Sequence, residues 1–321
     1  MTVEADVKRA AASVTGAPVL GVERLTHGDT NHVYKVETPG RAYVLKVFSR
    51  RGWPEGGKLP WVEARLDAHA VPRAKLLHYT RRDEFFPHGF SLSEYVAGAN
   101  GKQSIRDGRL AALDYLEMAG AYLRRVHEIG VPRYGYLGGG QGAEEDYVGW
   151  LVGWGLKDRL DELVDAPGLG ANLHARAAGR VEKIMRRYER RLRPALVHAD
   201  ATPKNAVLTG GGRMLLIDWD EAHAAPWLHD YTNLSFWYSY VLQRGGLEVR
   251  DKAEVRAAFF RGYGGPEFDA DELDELESAL HTVHAAGVLS FYYRGGHAEG
   301  FEHARELLRR LLSAPPPRGR T

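Results

Sequence analysis

The chain reads Leu196-Val197-His198-Ala199-Asp200-Ala201-Thr202-Pro203-Lys204-Asn205 and, after a Gly210-Gly211-Gly212 turn, Met214-Leu215-Leu216-Ile217-Asp218-Trp219-Asp220. Each segment contains a short apolar run that polar residues follow at once. Short apolar runs bounded by turn residues are typical of buried strands. We therefore expect two strands whose ends deliver Asp200, Asn205 and Asp218 to one surface.

These three side chains offer the oxygen atoms that phosphoryl transfer requires. This reaction needs Mg²⁺ bridging the phosphates and a carboxylate that aligns the attacking hydroxyl. The pattern predicts that Asp200 orients or deprotonates the hydroxyl as the catalytic base, and that Asn205 and Asp218 hold the metal. The alternative is that Asp200 and Asn205 only cap turns after buried strands, where Asp and Asn are common.

The order His-x-Asp-x-x-x-x-Asn, followed by Ile-Asp-Trp, resembles the catalytic signature of the aminoglycoside phosphotransferase and choline kinase group, which are relatives of the protein kinases. The resemblance implies a protein-kinase-like α+β fold with a small N-terminal antiparallel β lobe and a larger, mainly α-helical C-terminal lobe. It gives the base role to Asp200, leaves His198 as a support of the Asp200 loop, and assigns Asp230, which follows the metal loop around Asp218, to anchoring that metal loop to a helix. Ala199 stands where the family usually has glycine.

The same resemblance predicts a nucleotide site in the first lobe. Lys46 interrupts the apolar pattern of a predicted strand, where a buried ammonium needs an anionic partner. Phosphate oxygens would be that partner. Glu63, in a predicted helix, resembles the family's helix glutamate that pairs with the strand lysine and fixes its direction.

Two further segments are assigned to the nucleotide by resemblance. The loop around Gly28 and Thr30 resembles the one that folds over the phosphates, where glycine lets backbone approach and threonine adds a hydroxyl donor. Glu94 and Val96 flank Tyr95 in a segment that resembles the hinge, where backbone groups would read adenine. ATP is the expected nucleotide, with GTP as an alternative.

The character of the sequence changes near residues 97–101, which have the composition of a linker. Residues 21–48 alternate as strands around a Pro39-Gly40 turn, whereas the segments beyond residue 101 have mostly helical spacing. We therefore predict a nucleotide-binding lobe at 1–97 and a catalytic and acceptor-binding lobe at 98–321. The proline-rich tail at 313–321 is predicted to be disordered.

Bulk properties exclude several classes of protein. Lysine and arginine number 43 and the acidic residues 42, so no global field favours nucleic acid or an anionic membrane. The chain has no cysteine, which removes disulfides and thiolate sites and suits a cytoplasmic setting. No signal peptide and no apolar run of about 18 residues is apparent, so we expect a soluble protein. The sequence leaves the oligomeric state open.

The sequence thus predicts an ATP-dependent kinase that phosphorylates a hydroxyl group of a small molecule, such as an aminoglycoside or other aminated antibiotic, a sugar or an amino alcohol. The acidic segments at 144–146 and 269–277 would attract a cationic acceptor, or else form solvated helix faces. The helical spacing of Tyr147, Trp150 and Trp154 favours a packed core over a surface that stacks on a substrate.

Two other functions are weaker interpretations. A protein kinase would carry Asp-Phe-Gly, Ala-Pro-Glu and a three-glycine loop, which this sequence lacks. A pseudokinase that binds nucleotide and scaffolds a partner is the non-enzyme alternative. The presence of Lys46, Asp200, Asn205 and Asp218 counts against it, because a pseudokinase is free to lose them.

Overall fold

A computed structural model of the protein describes residues 3–25, 31–140, 142–163, 166, 169, 172–241 and 251–313. Gly28, Thr30 and the tail beyond Ser313 lie outside the described residues. The helices are α1 (Val3–Thr15), α2 (Lys58–Ala68), α3 (Gly101–Arg106), α4 (Ala112–His127), α5 (Tyr147–Val152), α6 (Asp158–Asp161), α7 (Leu173–Tyr188), α8 (Leu228–Phe236), α9 (Lys252–Tyr263), α10 (Ala270–Arg294) and α11 (Ala298–Ser313). The strands are β1 (Gly21–Leu25), β2 (His32–Thr38), β3 (Arg41–Val47), β4 (Leu76–Thr80), β5 (Phe90–Glu94), β6 (Ala99–Asn100), β7 (Gly135–Tyr136), β8 (Ala195–Val197), β9 (Ala206–Leu208), β10 (Met214–Leu216) and β11 (His223–Ala225).

The chain forms two compact units, and neither is a single stretch of sequence. The first contains residues 1–110, 136–140 and 203–222, and the second contains 111–135, 141–202 and 223–321. The first unit is larger than the predicted lobe at 1–97. The reason is strand pairing: β6, which follows the predicted linker, pairs with β9 of the β9–β10 hairpin, so both belong to the first unit.

The first unit is built on a five-stranded antiparallel sheet in the order β1-β2-β3-β5-β4. Side chains alternate between the two faces of a strand, so Tyr43, Leu45 and Val47 of β3 point into the core while Lys46 points to the opposite face. The core also takes residues from α1, β2 and the β5 region, among them Val7, Ala10, Tyr34, Val36, Phe90 and Leu92. The sheet thereby fixes the direction in which Lys46 leaves it.

The second unit is mainly helical. Helices α4 and α9 approach closely at two glycines, since an added Cβ would lie 2.3 Å from the Phe259 carbonyl at Gly120 and 1.9 Å from the Glu117 carbonyl at Gly262. Helix α10 runs for 25 residues and buries side chains along most of its length. Strand β8 pairs antiparallel with β11, which puts Val197 opposite His223. None of the helices among the described residues has the length and apolarity that crossing a membrane demands.

Candidate active site

The β9–β10 hairpin carries two of the predicted site residues at its open end. Asn205 ends the 3₁₀ turn that leads into β9, and Asp218 follows β10 after Ile217. The Ile217 N–H donates to the Asn205 carbonyl at 2.9 Å. Asp218, the residue after Ile217, therefore lies next to Asn205. Carboxylate and amide oxygens are hard ligands of the kind that Mg²⁺ takes. The donor set therefore fits the predicted metal.

Asp218 has a backbone conformation that non-glycine residues seldom adopt. Its φ is 65° and its ψ is 69°, in the left-handed region. Asp and Asn tolerate this region better than other residues because their short polar side chains bond locally. The bend at Asp218 turns the chain from β10 into the 3₁₀ turn Trp219–Glu221, and this turn brings Asp220 towards the sheet of the first unit. Backbone strain of this kind is frequent at functional sites.

Lys46 makes two ion pairs with this turn. Its Nζ lies 2.8 Å from Asp218 Oδ1 and 2.8 Å from Asp220 Oδ1. Burial lowers the pKa of Lys46, but the two carboxylates outweigh burial and hold the pKa above its usual range. Burial raises the pKa of the Asp220 carboxyl, and Lys46 opposes that rise. The ammonium of Lys46 is therefore charged and is directed at the predicted metal ligand.

Glu63 does not pair with Lys46 in the structure, which corrects that part of the prediction. The Glu63 carboxylate accepts hydrogen bonds from Arg73 Nε at 2.9 Å and from Arg73 Nη2 at 2.6 Å. Arg73 also contacts Asp67 at 2.7 Å, one turn along α2. A planar guanidinium can bind two acidic side chains at once, and Arg73 thereby holds Glu63 where the prediction expected Lys46.

Sequence reasoning missed Lys58, which is fully buried at the start of α2. Its Nζ donates to the backbone carbonyl of Asp220 at 2.7 Å and also pairs with the Glu55 carboxylate. The ammonium lies 4.2 Å from the centre of the Trp53 ring, within the range of a cation–π contact. Its burial carries no sequence signal, since a lysine in the first turn of a helix is ordinarily exposed.

The predicted hinge residues lie at the end of β5. Glu94 pairs with Tyr43 in the β3–β5 register, and its N–H donates to the Lys75 carbonyl at 2.9 Å. Val96 follows two residues later, and the intervening Tyr95 donates its N–H to the Ala42 carbonyl at 3.1 Å. A nucleotide contact at Glu94 or Val96 stays a prediction. Gly28 and Thr30, the other predicted nucleotide residues, are outside the described part of the chain.

In the second unit, the loop that carries Asp200 is held by Asp230 of α8. One Asp230 oxygen accepts the His198 N–H at 2.8 Å, and the other accepts the Ala199 N–H at 2.6 Å. The resemblance assigned Asp230 to the loop around Asp218, whereas in the structure Asp230 holds the loop that carries Asp200. Burial alone would raise the pKa of Asp230, but the contact with His127 and the donors at His198 outweigh burial and lower it. Asp230 is therefore ionised, as an acceptor of two N–H groups should be.

Other bonds fix the Asp200 loop from inside. Thr202 Oγ1 donates to Asp200 Oδ1 at 3.1 Å, and the Tyr115 hydroxyl donates to the Ala201 carbonyl at 2.7 Å. His198 is buried, and its Nδ1 accepts the Asp200 N–H at 3.3 Å. His198 thus braces the backbone of the loop from a position inside the protein.

The acidic segments that could attract a cationic acceptor are engaged in ion pairs within the second unit. Asp146 caps α5 and binds Arg186, with 2.6 Å between its Oδ2 and Nη2. Four carboxylates of α10 have basic partners as well: Glu272 with Arg191, Asp274 with Lys252 and Arg256, Glu275 with Arg187, and Glu277 with Lys252 and Arg256. These carboxylates therefore join elements of the fold and do not form an unbalanced acidic surface.

The aromatic residues of the α5 region pack against one another. The Trp150 and Trp154 rings stack with centres 4.7 Å apart at 9°, and the Arg159 guanidinium lies 4.4 Å from the centre of the Trp154 ring. Tyr147 is buried, and its ring centre lies 6.2 Å from that of Trp150. Tyr147 thus belongs to the core that the helical spacing favoured, whereas Trp150 and Trp154 are half-buried.

Comparisons with known proteins agree on the fold. The structure is similar to crystal structures of the aminoglycoside phosphotransferase APH(4)-Ia (TM-score 0.70, 15% identity, 97% of this chain and 99% of the other) and of its thermostable mutant in a ternary complex with ADP and hygromycin B (0.69, 15%, 96% and 98%). It is also similar to spectinomycin phosphotransferase APH(9)-Ia in complex with ADP and spectinomycin (0.61, 13%, 97% and 97%). The predicted protein-kinase-like α+β fold is thereby confirmed.

A comparison with curated proteins gives no match. The sequence itself matches the phosphotransferase enzyme family over residues 21–276. Because this match spans most of the chain, the protein belongs to the phosphotransferase enzyme family.

Proposed function

We propose that the protein transfers the γ-phosphoryl group of ATP to a hydroxyl group of a small molecule. The observation that carries the proposal is the arrangement in the first unit, where Lys46 Nζ lies 2.8 Å from Asp218 and Asp218 neighbours Asn205. A charged lysine next to two oxygen ligands for a hard cation suits the phosphates of a nucleotide.

Each residue has a distinct task in this proposal. Asn205 and Asp218 would hold Mg²⁺, which neutralises phosphate charge when bound. Lys46 binds phosphate oxygens through its ammonium. Asp200 accepts the proton of the acceptor hydroxyl as that oxygen attacks the phosphorus, and the bond between the γ-phosphorus and the bridging oxygen breaks to release ADP.

The acceptor is the less defined half of the reaction. Two of the similar solved structures are complexes with hygromycin B and spectinomycin, so we propose an acceptor of related chemistry: an aminoglycoside or other aminated antibiotic, a sugar or an amino alcohol. The ion pairs of the second unit give no separate argument for a cationic acceptor. The test panel should therefore include neutral and cationic hydroxyl compounds, and GTP beside ATP.

The experiment measures ADP release with ATP, Mg²⁺ and this panel for the wild type and for Asp200→Ala. We expect acceptor-dependent turnover in the wild type and a loss of at least about 10²-fold in the variant, since a positioned base typically contributes 10²–10⁴-fold. Asp271→Ala, an exposed aspartate of α10, is the matched control and should keep full activity. Undiminished turnover in Asp200→Ala would refute the mechanism. Nucleotide binding without turnover on any acceptor would favour the pseudokinase instead.

A further inference from the structure

Lys46 has two carboxylate partners, and the two differ in their surroundings. The Asp218 side chain is 45% exposed, whereas the Asp220 side chain is 7% exposed, although both lie 2.8 Å from Lys46 Nζ. In the proposed function, on which this inference rests, Asp218 gives its oxygens to the metal. A different group must then hold the lysine in the loaded site.

Asp220 is held from several sides in a way that fixes the direction of its carboxylate. Its Oδ2 accepts a hydrogen bond from Asn31 Nδ2 at 3.1 Å, which leaves Oδ1 for Lys46. The Asn31 Oδ1 in turn accepts the Ser49 N–H at 3.2 Å, just beyond the end of β3. The Asp220 backbone carbonyl accepts the buried Lys58 ammonium at 2.7 Å. Side chain and backbone of Asp220 are therefore both anchored.

Glu63 is engaged elsewhere. Its Oε1 takes two hydrogen bonds from Arg73, whose side chain is buried and also contacts Asp67. Directing Glu63 at Lys46 would leave a buried guanidinium with half of its partners, which is costly in a site of low polarity.

We propose that Asp220 positions Lys46 for the nucleotide phosphates, in the role that the resemblance had given to Glu63. Asp220 acts through Lys46 and does not touch the reacting atoms. Without the Asp220 charge, Asp218 is the remaining ion-pair partner of Lys46 among the contacts described above. The Lys46 ammonium and the metal would then compete for the Asp218 carboxylate.

The test is direct binding of ATP by Asp220→Asn, by the rescue variant Asp220→Glu and by Glu63→Gln, measured calorimetrically with Mg²⁺ and again in EDTA. Hydrogen bonds between charged groups are about twice as strong as neutral ones, so we expect Asp220→Asn to weaken ATP binding about 10-fold. Asp220→Glu should recover part of the loss, and Glu63→Gln should stay within about 2-fold. The Asp220→Asn effect should be smaller in EDTA, where Asp218 is available to Lys46, but it should still be present because the lysine has lost one of its two carboxylate partners. An effect seen only with Mg²⁺ would make Asp220 a metal ligand and overturn the proposal.

A double-mutant cycle separates positioning from a general effect on folding. If Asp220 acts through Lys46, the double variant Lys46→Ala/Asp220→Asn should bind ATP no more weakly than Lys46→Ala alone. Additive losses would refute the positioning role. Should Asp220→Asn fail to fold, Asn31→Ala replaces it, because that change loosens Asp220 and should show a smaller loss with the same dependence on Lys46; an additive loss with Lys46→Ala would again refute the role.

Asp200→Ala in the same binding assay distinguishes this inference from the proposed function. It should bind ATP normally and lose only turnover. Loss of turnover in Asp200→Ala together with normal ATP binding in Asp220→Asn would refute the positioning role and leave the function standing. Unchanged turnover in Asp200→Ala beside weakened binding in Asp220→Asn would refute the catalytic mechanism alone.

Discussion

Ala199 carries a conformational cost in the loop that holds Asp200. Its φ is 66°, in the left-handed region that costs a residue with a Cβ about 1–2 kcal/mol. Glycine would remove that cost but would also gain freedom in the unfolded chain, worth about 0.4–1 kcal/mol. We therefore expect Ala199→Gly to raise the free energy of unfolding by about 0.5–1 kcal/mol, measured by urea denaturation. Ala201→Gly, a buried neighbour with no such strain, should lower stability. A loss of stability in Ala199→Gly would contradict the argument.

Asp230 should matter for stability and for turnover together. Asp230→Asn leaves one carbonyl oxygen for the N–H groups of His198 and Ala199, and turns an amide N–H₂ towards a donor. Hydrogen bonds to charged groups contribute about 1.5–3 kcal/mol each, so we expect a loss of about 3 kcal/mol, with reduced kcat because the Asp200 loop loses its anchor. Thermal melting and ADP release measure the two effects. His127→Gln, which keeps both backbone bonds, should lose clearly less; equal losses would assign the effect to the His127 contact.

Single residues show what the sequence could and could not predict. The neighbouring positions of Asn205 and Asp218 depend on the pairing of β9 with β10, and β9 was not among the predicted strands; the predicted run before Asp200 is β8, which pairs with β11. The partner of Glu63 does not follow from the sequence, because Arg73 reaches it only once α2 and the segment before β4 are folded together. Lys58 was missed for a similar reason, since a lysine in the first turn of a helix is ordinarily exposed.

At the scale of elements, α10 is joined to α8 and α9 by a buried carboxylate. Glu277 accepts the Tyr231 hydroxyl and pairs with Arg256, 2.9 Å from its Nη2, and with Lys252. Breaking a buried pair by removing one charge costs about 3–5 kcal/mol. We expect Glu277→Gln to lower the free energy of unfolding by about 3 kcal/mol in urea titrations. Glu117→Gln breaks the exposed Glu117–Arg261 pair and should cost less than about 1 kcal/mol. Similar losses in both variants would show that burial does not set the cost.

Buried histidines between α8 and α10 make stability depend on pH. His281 contacts Ser235 at 2.8 Å, and burial, aided by Lys252 and Arg256, lowers its pKa to about 3. Burial also lowers the pKa of His229 and His284 well below the usual value. In the unfolded chain these histidines bind protons near pH 6.5, whereas in the folded chain they bind protons only at lower pH. Their contribution to the free energy of unfolding is therefore fully present above pH 6.5 and is lost as the pH falls from 6.5 towards 3.

For His281 alone, we consider lowering the pH from 7.5 to 5.5, which is one unit below the usual histidine pKa of about 6.5. This change should lower the free energy of unfolding by about 1.4 kcal/mol. Urea titrations at pH 5.5, 6.5 and 7.5 measure this loss. His281→Gln has no proton to bind and should show a shallower dependence on pH. An unchanged slope in that variant would place the proton uptake on other groups.

Regular elements were predictable where side-chain alternation or helical spacing runs for a full element. This holds for α1 and for β3, whose alternation also separates Lys46 from the core. Strands β4 and β6 carry no such signal: β6 is two residues long, and β4 is an edge strand whose pairing with β5 contains a shift in register. Their existence depends on the strands that they meet, which local sequence does not specify.

At the scale of the whole molecule, the first unit is assembled from distant parts of the chain. Lys46 and Asn31 come from its N-terminal part, whereas Asn205, Asp218 and Asp220 come from residues 203–222. The predicted boundary at residue 97 could not reveal this. A change in composition along the chain can locate a linker, but it does not indicate that a later segment, residues 203–222, packs with the first unit.

This construction predicts that the N-terminal part cannot bind nucleotide alone. A fragment of residues 1–110 keeps Lys46, Lys58 and the five-stranded sheet, but it lacks the β9–β10 hairpin and the carboxylates that pair with Lys46. The lysine would then occupy a low-polarity position without those charges, which is unfavourable. We expect calorimetry to detect no ATP·Mg²⁺ binding by the fragment at concentrations that saturate the full chain. Joining residues 203–222 to it by a flexible linker should restore measurable binding, because β9 can again pair with β6. Binding by the fragment at full affinity would mean that the hairpin contributes nothing to the nucleotide site, and would contradict the roles given to Asn205, Asp218 and Asp220 together.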